Sequence, residues 1–177
     1  NTDFHNLDLG DFSSSNSLTL KGGQIKAWKD GNCWNLGNPD PSQLLYSINP
    51  SDFSGSMSFS SINLDQTQDL GWPNEVNTSD NESINLLNGL TPGEYKITVY
   101  YTATFSCNSG GPVTVYDSNS NNNYSATFRV LNYSSDQSIS SDKTFANVVV
   151  DSGVTLTISA SGSLNVTSTL TNNGAIV

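Results

Sequence analysis

The sequence feature that most constrains the fold is an alternation of apolar and polar residues in the middle of the chain. Lys96, Tyr100 and three threonines separate six apolar residues at consecutive odd positions: Tyr95, Ile97, Val99, Tyr101, Ala103 and Phe105. Successive side chains of a β-strand point to opposite faces, so a period of two is typical of a strand with one buried face. We therefore predict a strand whose odd positions belong to the core and whose even positions face solvent.

Composition extends this prediction from one strand to the fold class. The 177 residues include 23 Asn, 29 Ser and 16 Thr but only six Ala and three Glu. Small polar side chains compete with helical backbone hydrogen bonds, and good helix formers are scarce. A helical bundle and a doubly wound α/β fold are therefore excluded, and the chain is predicted to be all-β.

The charge balance excludes nucleic acid as a partner. Six Lys and Arg stand against 16 Asp and Glu, which gives a formal net charge of −10. Binding a nucleic acid requires cationic side chains that replace the counterions of the phosphates. No apolar run approaches the roughly 18 residues of a membrane span, so we also expect no membrane span.

Further strand-like segments between residues 17 and 132 are separated by turns rich in Gly, Pro and Asn. The clearest are Leu18–Leu20, Leu44–Ile48 and Tyr124–Val130. Strands spaced about 8 to 12 residues apart indicate an antiparallel β-sandwich of the jelly-roll or Ig-like kind. We predict a sandwich domain over 17–132, preceded by a tail or edge segment over 1–16.

The segment 133–177 has a different character, with very short β-branched pieces separated by Gly153, Gly162 and Gly174. This spacing favours a β-solenoid-like segment, the start of a solenoid or a set of assembly strands. Solenoid coils bury their faces only against neighbours, and roughly three or more are needed for stability. We expect the missing coils to come from sequence beyond Val177 or from another copy of the chain. The alternative is a pair of extra strands on the sandwich.

Two cysteines, Cys33 and Cys107, lie far apart, without a CxxC pair or neighbouring histidines that would indicate a zinc site. The sequence begins with Asn1 rather than Met, which suits a mature exported chain and equally a trimmed segment. We predict an extracellular or cell-surface protein with a Cys33–Cys107 disulfide. Two buried free thiols are the alternative.

Catalytic machinery is not evident in the sequence. The single histidine, His5, leaves almost no material for a Ser-His-Asp arrangement or a histidine metal cluster. Glycoside hydrolysis requires two carboxylates across a cleft, but most of the acidic residues occur in turns, where Asp is expected for backbone reasons. We predict that the chain is not an enzyme and needs no cofactor, with calcium as the one candidate ion.

Two kinds of binding site remain open. Oxygen-rich loops place Asp30, Asp117 and Asn119 among groups that suit calcium, although ordinary polar turns have the same composition. Trp34 and Trp72 lie in loops, where exposed aromatic rings could bind sugars, or where they could cap the sandwich core. A third tryptophan, Trp28, lies within a strand and is predicted to be a core residue.

Six segments of the predicted sandwich form an ordered set: GGQIKAWK (22–29), LYSI (45–48), SINL (61–64), NLLNGLTPGEY (85–95), YDSN (116–119) and YSATF (124–128). In this order they resemble the N-terminal modules of proteins secreted by gliding and marine Bacteroidetes. The stretch 148–157 with the Asn172-Asn173-Gly174 turn is similar to the first coils of solenoid stalks exported by the type IX system, while the loop 32–42 departs from the pattern. The resemblance implies an exported, largely non-catalytic surface module.

These observations lead to one functional expectation and one alternative. We expect a non-catalytic extracellular structural or adhesive module that self-assembles into a filament through β-strand contacts. Its partners would be other copies of itself or the rest of a longer surface protein, together with glycans. The alternative is a carbohydrate-binding module of a longer secreted enzyme.

Overall fold

The computed structural model describes residues 4–13, 16–28, 32–34, 36–108 and 110–177, except for the side chain of Trp34. Every regular element in these ranges is a β-strand, which confirms the all-β class. These ranges contain no helix with the length and apolar character that crossing a membrane requires.

The described residues form eighteen strands. In order they are β1 (Leu7–Phe12), β2 (Thr19–Leu20), β3 (Gly23–Trp28), β4 (Cys33–Trp34), β5 (Ser42–Pro50), β6 (Ser60–Leu64), β7 (Gln66–Asp69), β8 (Asn74–Ser79), β9 (Ile84–Asn85), β10 (Gly93–Cys107), β11 (Gly111–Asp117), β12 (Tyr124–Val130), β13 (Asn132–Tyr133), β14 (Gln137–Ile139), β15 (Asp142–Val150), β16 (Thr155–Ile158), β17 (Ser163–Asn172) and β18 (Ala175–Ile176). They form two compact units: the first comprises Asn1–Leu7, Thr19–Ile84 and Lys96–Ala126, and the second comprises Asp8–Leu18, Asn85–Tyr95 and Thr127–Val177.

Five strand pairs of the first unit are antiparallel: β3–β8, β7–β8, β5–β6, β4–β10 and β10–β11. Its long strand β10 lies between β12 and β5 in one sheet, where β5 also pairs with β6, and the end of β10 pairs with β11 and β4. A separate sheet has the order β3-β8-β7. The buried apolar residues come from both sheets: Ile25, Leu44, Ile62, Leu64, Val76, Ile97, Val99, Ala103, Phe105 and Ala126.

The alternation predicted for β10 is confirmed for its odd positions, which are buried except for the half-buried Tyr101. The expectation of a solvent-facing even side is wrong at Thr98 and Thr104, each only 4% exposed. At Thr104 the reason is visible. Its hydroxyl lies 3.3 Å from that of Thr114 on β11, and its carbonyl accepts the backbone N–H of Gly37, so neighbouring chain covers this face.

Strand β3 corrects the prediction for Trp28, whose side chain is 65% exposed rather than part of the core. The alternation along β3 buries Ile25 and leaves Gln24, Lys26 and Trp28 exposed. Because Trp28 is an odd number of residues from Ile25, the two side chains belong to opposite faces.

One disulfide and two hydrogen bonds join the segment that leads into β5 to the rest of the first unit. The predicted disulfide between Cys33 and Cys107 is present and closes a separation of 74 residues. The backbone N–H of Leu36 donates to the buried carboxylate of Glu75, and the Ser42 hydroxyl donates to Asn77 Oδ1 at 2.6 Å. The buried side chains of Glu75 and Asn77 therefore have hydrogen-bond partners in Leu36 and in Ser42, the first residue of β5.

The second unit contains two three-stranded sheets in which all pairings are parallel, with the orders β13-β15-β17 and β14-β16-β18. Hydrogen bonds between successive layers join residues 19 to 22 positions apart, such as Ser163 Oγ to Asp142 Oδ1. Each layer, here called a coil, therefore stacks on the coil before it. The enclosed core consists of Tyr133, Ile139, Val148, Val150, Val154 and Leu156.

Glycine is required where one coil turns directly over another. A Cβ atom at Gly162 would lie 2.3 Å from the carbonyl oxygen of Ile139, and one at Gly174 would lie 2.2 Å from that of Val154. No side chain fits at such distances, so Gly162 and Gly174 correspond to contacts between stacked backbones. Gly153 differs, because a Cβ there would meet nothing within 4 Å and its φ of +80° is what favours glycine.

Candidate functional site

The first unit contains a cleft of about 850 Å³ along Leu20–Lys26. Strand β3 is the outer strand of its sheet, with β8 on one side only. Leu44, Val99 and Tyr101 contribute apolar surface to the cleft. Polar side chains complete the lining: Lys21, Gln24, Lys26, Thr78, Ser79, Asp80, Asp117 and Tyr124.

Two adjacent glycines bring the backbone close to the cleft residues. Gly22 has a φ of +123°, and a Cβ there would lie 1.9 Å from the carbonyl oxygen of Ser79. A Cβ at Gly23 would lie 2.9 Å from Tyr101 Cε1 and 2.6 Å from Leu44 Cδ1. The Tyr101 ring therefore lies directly against the Gly23 backbone, and a larger residue would displace it.

A hydrogen bond orients the second tyrosine of the cleft. The Tyr124 hydroxyl donates to Asp117 Oδ1 at 2.7 Å, and this bond, followed by burial and the charge of Asp117, raises the Tyr124 pKa. Burial, followed by the charge of Asp117, raises the Tyr101 pKa. Both phenols are therefore neutral at pH 7 and can donate or accept hydrogen bonds.

The two described calcium candidates, Asp117 and Asn119, make hydrogen bonds with neighbouring residues. Asp117 accepts the Tyr124 hydroxyl, while the Asn119 amide donates to the Asn123 carbonyl and lies 3.2 Å from the His5 ring. In the described part of the chain, no cluster of three or more His, Cys, Asp or Glu is arranged to hold a metal ion. Asp30 lies outside the described residues, and calcium binding remains a prediction.

The loop 118–123 explains why its sequence is rich in Asn. Four non-glycine residues adopt a left-handed backbone conformation, with φ between 48° and 69°: Asn119, Ser120, Asn121 and Asn123. Asn tolerates this conformation better than most residues because its short polar side chain can bond to the local backbone. The composition is therefore accounted for by the turn itself.

The two candidate sugar-binding tryptophans are placed differently. Trp72 lies in the turn between β7 and β8 and is 71% exposed, so it does not cap the core. Trp34 is in β4, and its side chain lies outside the described residues. The cleft was not predicted from the sequence, because Tyr101 and Tyr124 were interpreted only as strand residues. The Gly22-Gly23 pair was the one local sequence feature that pointed to a close backbone approach there.

A second candidate surface is the outer end of the coil stack in the second unit. Val148 in β15 is fully buried, but its register partner Leu170 in β17 is 47% exposed. Likewise Leu156 is fully buried, whereas its partner Ile176 in β18 is half-buried. A groove of about 430 Å³ opens here, and its apolar lining is Ile158, Leu164, Val166, Leu170 and Ile176.

Comparison with known proteins finds no match to this chain among family models, curated proteins or solved structures.

Proposed function

We propose that this chain is a non-catalytic extracellular structural and adhesive module. In this proposal the first unit is a β-sandwich, and the second unit is the beginning of a β-solenoid whose outer end receives further strands. One observation carries the proposal: equivalent core positions are fully buried at Val148 and 47% exposed at Leu170.

The exposure follows from position in the stack rather than from residue type. Val148 has a coil on either side of it, whereas β17 is the outer strand of its sheet. Full burial of a Leu, Ile or Val side chain is worth about 1.5 to 3 kcal/mol. One more coil would cover Leu164, Leu170 and Ile176 together, so its addition is favourable.

The backbone of β17 supplies the second part of the argument. This strand has 10 residues, and its outer edge has no partner strand in the part of the chain that the structure describes. An unpaired edge of this length is a template for another strand. In its testable form, the proposal is that β17 and β18 of one copy pair with strands of a second copy.

The proposed location rests on the disulfide and on the resemblance. A disulfide is stable in oxidising surroundings and rare in the cytosol. The similarity to type IX secreted surface proteins agrees with export. Together they support a cell-surface protein whose coil stack joins it to further copies or to the remainder of a longer surface protein.

Light scattering and electron microscopy test the assembly directly. We expect the chain to form particles larger than a monomer as concentration rises, and Leu170→Lys to abolish them, because a buried charge would prevent strand addition. Val113→Lys is the matched control, since Val113 is 46% exposed on β11 in the first unit. A monodisperse monomer at every concentration, or equal effects of both variants, would contradict the proposal.

A further inference from the structure

We propose that the cleft along β3 is a binding site for a neutral oligosaccharide. This inference goes beyond the structural role, because assembly through the coil stack requires no ligand in the first unit. It also moves the expected sugar contact away from Trp34 and Trp72. The residues that carry it are Lys21, Gln24, Lys26, Tyr101, Asp117 and Tyr124.

The residues that line the cleft have the chemistry that a sugar requires. A sugar ring presents hydroxyls that both donate and accept hydrogen bonds, together with apolar C–H surface. Among the residues that line the cleft, Lys21 and Lys26 carry ammonium donors, and Asp80 and Asp117 carry carboxylate acceptors. The Gln24 amide does both, and the rings of Tyr101 and Tyr124 add flat amphipathic surface.

The charged residues of the cleft balance one another. The whole chain carries a formal charge of −10, yet the cleft contains two of its six cationic residues, Lys21 and Lys26, and they balance Asp80 and Asp117. An anionic ligand would approach against the field of the acidic chain. A cationic ligand would meet the two lysines. The balance therefore favours an uncharged ligand that still needs many hydrogen bonds.

The two tyrosine rings of the cleft have fixed neighbours, and the cleft is large. Gly23 fixes the place of the Tyr101 ring, and the Asp117 carboxylate fixes the Tyr124 ring while its Oδ2 can accept a ligand hydroxyl. Side chains held in place before binding lose less entropy when the ligand arrives. The volume of about 850 Å³ lies in the upper part of the range for small-molecule sites, about 300 to 1,000 Å³. An oligosaccharide therefore suits it better than a single sugar.

The test uses calorimetry with a panel of neutral hexasaccharides, namely gluco-, manno-, xylo- and galacto-oligomers, and with polygalacturonate as the anionic probe. We expect at least one neutral probe to bind. Gln24→Ala and Tyr124→Ala should each weaken that binding about tenfold or more. Gln24 is exposed, so its variant keeps the fold even if Tyr124→Ala does not.

Matched controls separate the cleft from other aromatic surface. Tyr116 and Trp72 are 67% and 71% exposed and do not line the cleft, so their alanine variants should bind normally. Three results would overturn the proposal: no binding of any neutral probe by the wild-type chain, binding of polygalacturonate alone, or loss of binding in Trp72→Ala with none in the cleft variants. Thermal melting of each variant verifies that it is folded.

Discussion

The two units of this protein solve the problem of burying apolar surface in opposite ways. The first pairs its strands antiparallel and buries its central residues, with Leu44 and Ile97 only 2% and 1% exposed. The second stacks strands in parallel, and burial decreases from Val148 to Leu170 along one register row. An antiparallel unit can complete its own core, whereas a stack always has a last layer. Under the proposed function, the surface that receives further strands therefore belongs to the second unit.

The first unit depends on the covalent link between β4 and β10, and breaking that link has the largest expected effect. The Cys33–Cys107 bridge spans 74 residues, so its loss should lower the free energy of unfolding by about 4 to 5 kcal/mol in the chain-entropy model. Urea denaturation of the double variant Cys33→Ser/Cys107→Ser measures the loss. The wild-type chain in a thiol reductant is the control, and unchanged unfolding in both would contradict the prediction.

Within the second unit, the same substitution should have different costs in the middle and at the end of the stack. Leu156→Ala removes a fully buried side chain and should cost about 2 to 5 kcal/mol. Leu170→Ala truncates a side chain that is 47% exposed and should cost about 1 kcal/mol or less. Denaturant titration of the two variants compares them at a concentration where the chain is monomeric. Equal costs would show that the last coil is as closed as the middle one.

The glycines between coils allow a sharper form of the same comparison. Gly162→Ala would drive a methyl group into the Ile139 carbonyl, and we expect a loss of about 1 to 3 kcal/mol. Gly93→Ala is the matched control because its Cβ would make an ordinary contact of 3.4 Å with Tyr95. Melting temperatures of the two variants report the difference. Comparable melting temperatures would contradict the stacked turn.

Local patterns in the sequence predicted the all-β class and individual strands such as β10, but not the cleft. The alternation in β10 and the glycine spacing of the coils are local consequences of strand geometry and close backbone contact. The cleft brings together Gly23, Tyr101 and Tyr124 from three strands that are distant in sequence. Their proximity depends on long-range pairing, which a pattern of period two does not encode.

The tryptophans show a related limit. Trp28 was expected in the core because it lies within a strand, yet the alternation along β3 leaves it exposed. Residue type predicts burial on average, whereas the face of a strand decides it in each case. The disulfide was predictable from two isolated cysteines, but the polar contacts of Glu75 and Asn77 beneath the same loop required the structure.

The smallest expected effect concerns pH and one surface ion pair in the second unit. The Asp8 carboxylate accepts the backbone N–H of Gly10 and pairs with Arg129, and these contacts, in that order, lower the Asp8 pKa below its ordinary value of 3.8. Because the folded state favours the ionised carboxylate, this stabilisation is present above that value and is lost as pH falls through the lowered pKa.

Asp8→Asn removes the titrating group but keeps a side chain that can accept the Gly10 N–H. We expect the melting temperature of the wild-type chain to fall slightly more than that of Asp8→Asn between pH 5 and pH 3, since only the wild type loses this ionised contact. Both groups of the pair are partly exposed, so added salt should reduce the difference. Parallel melting curves over the whole pH range would show that the pair contributes nothing to the second unit, whose stability would then come from its stacked apolar core.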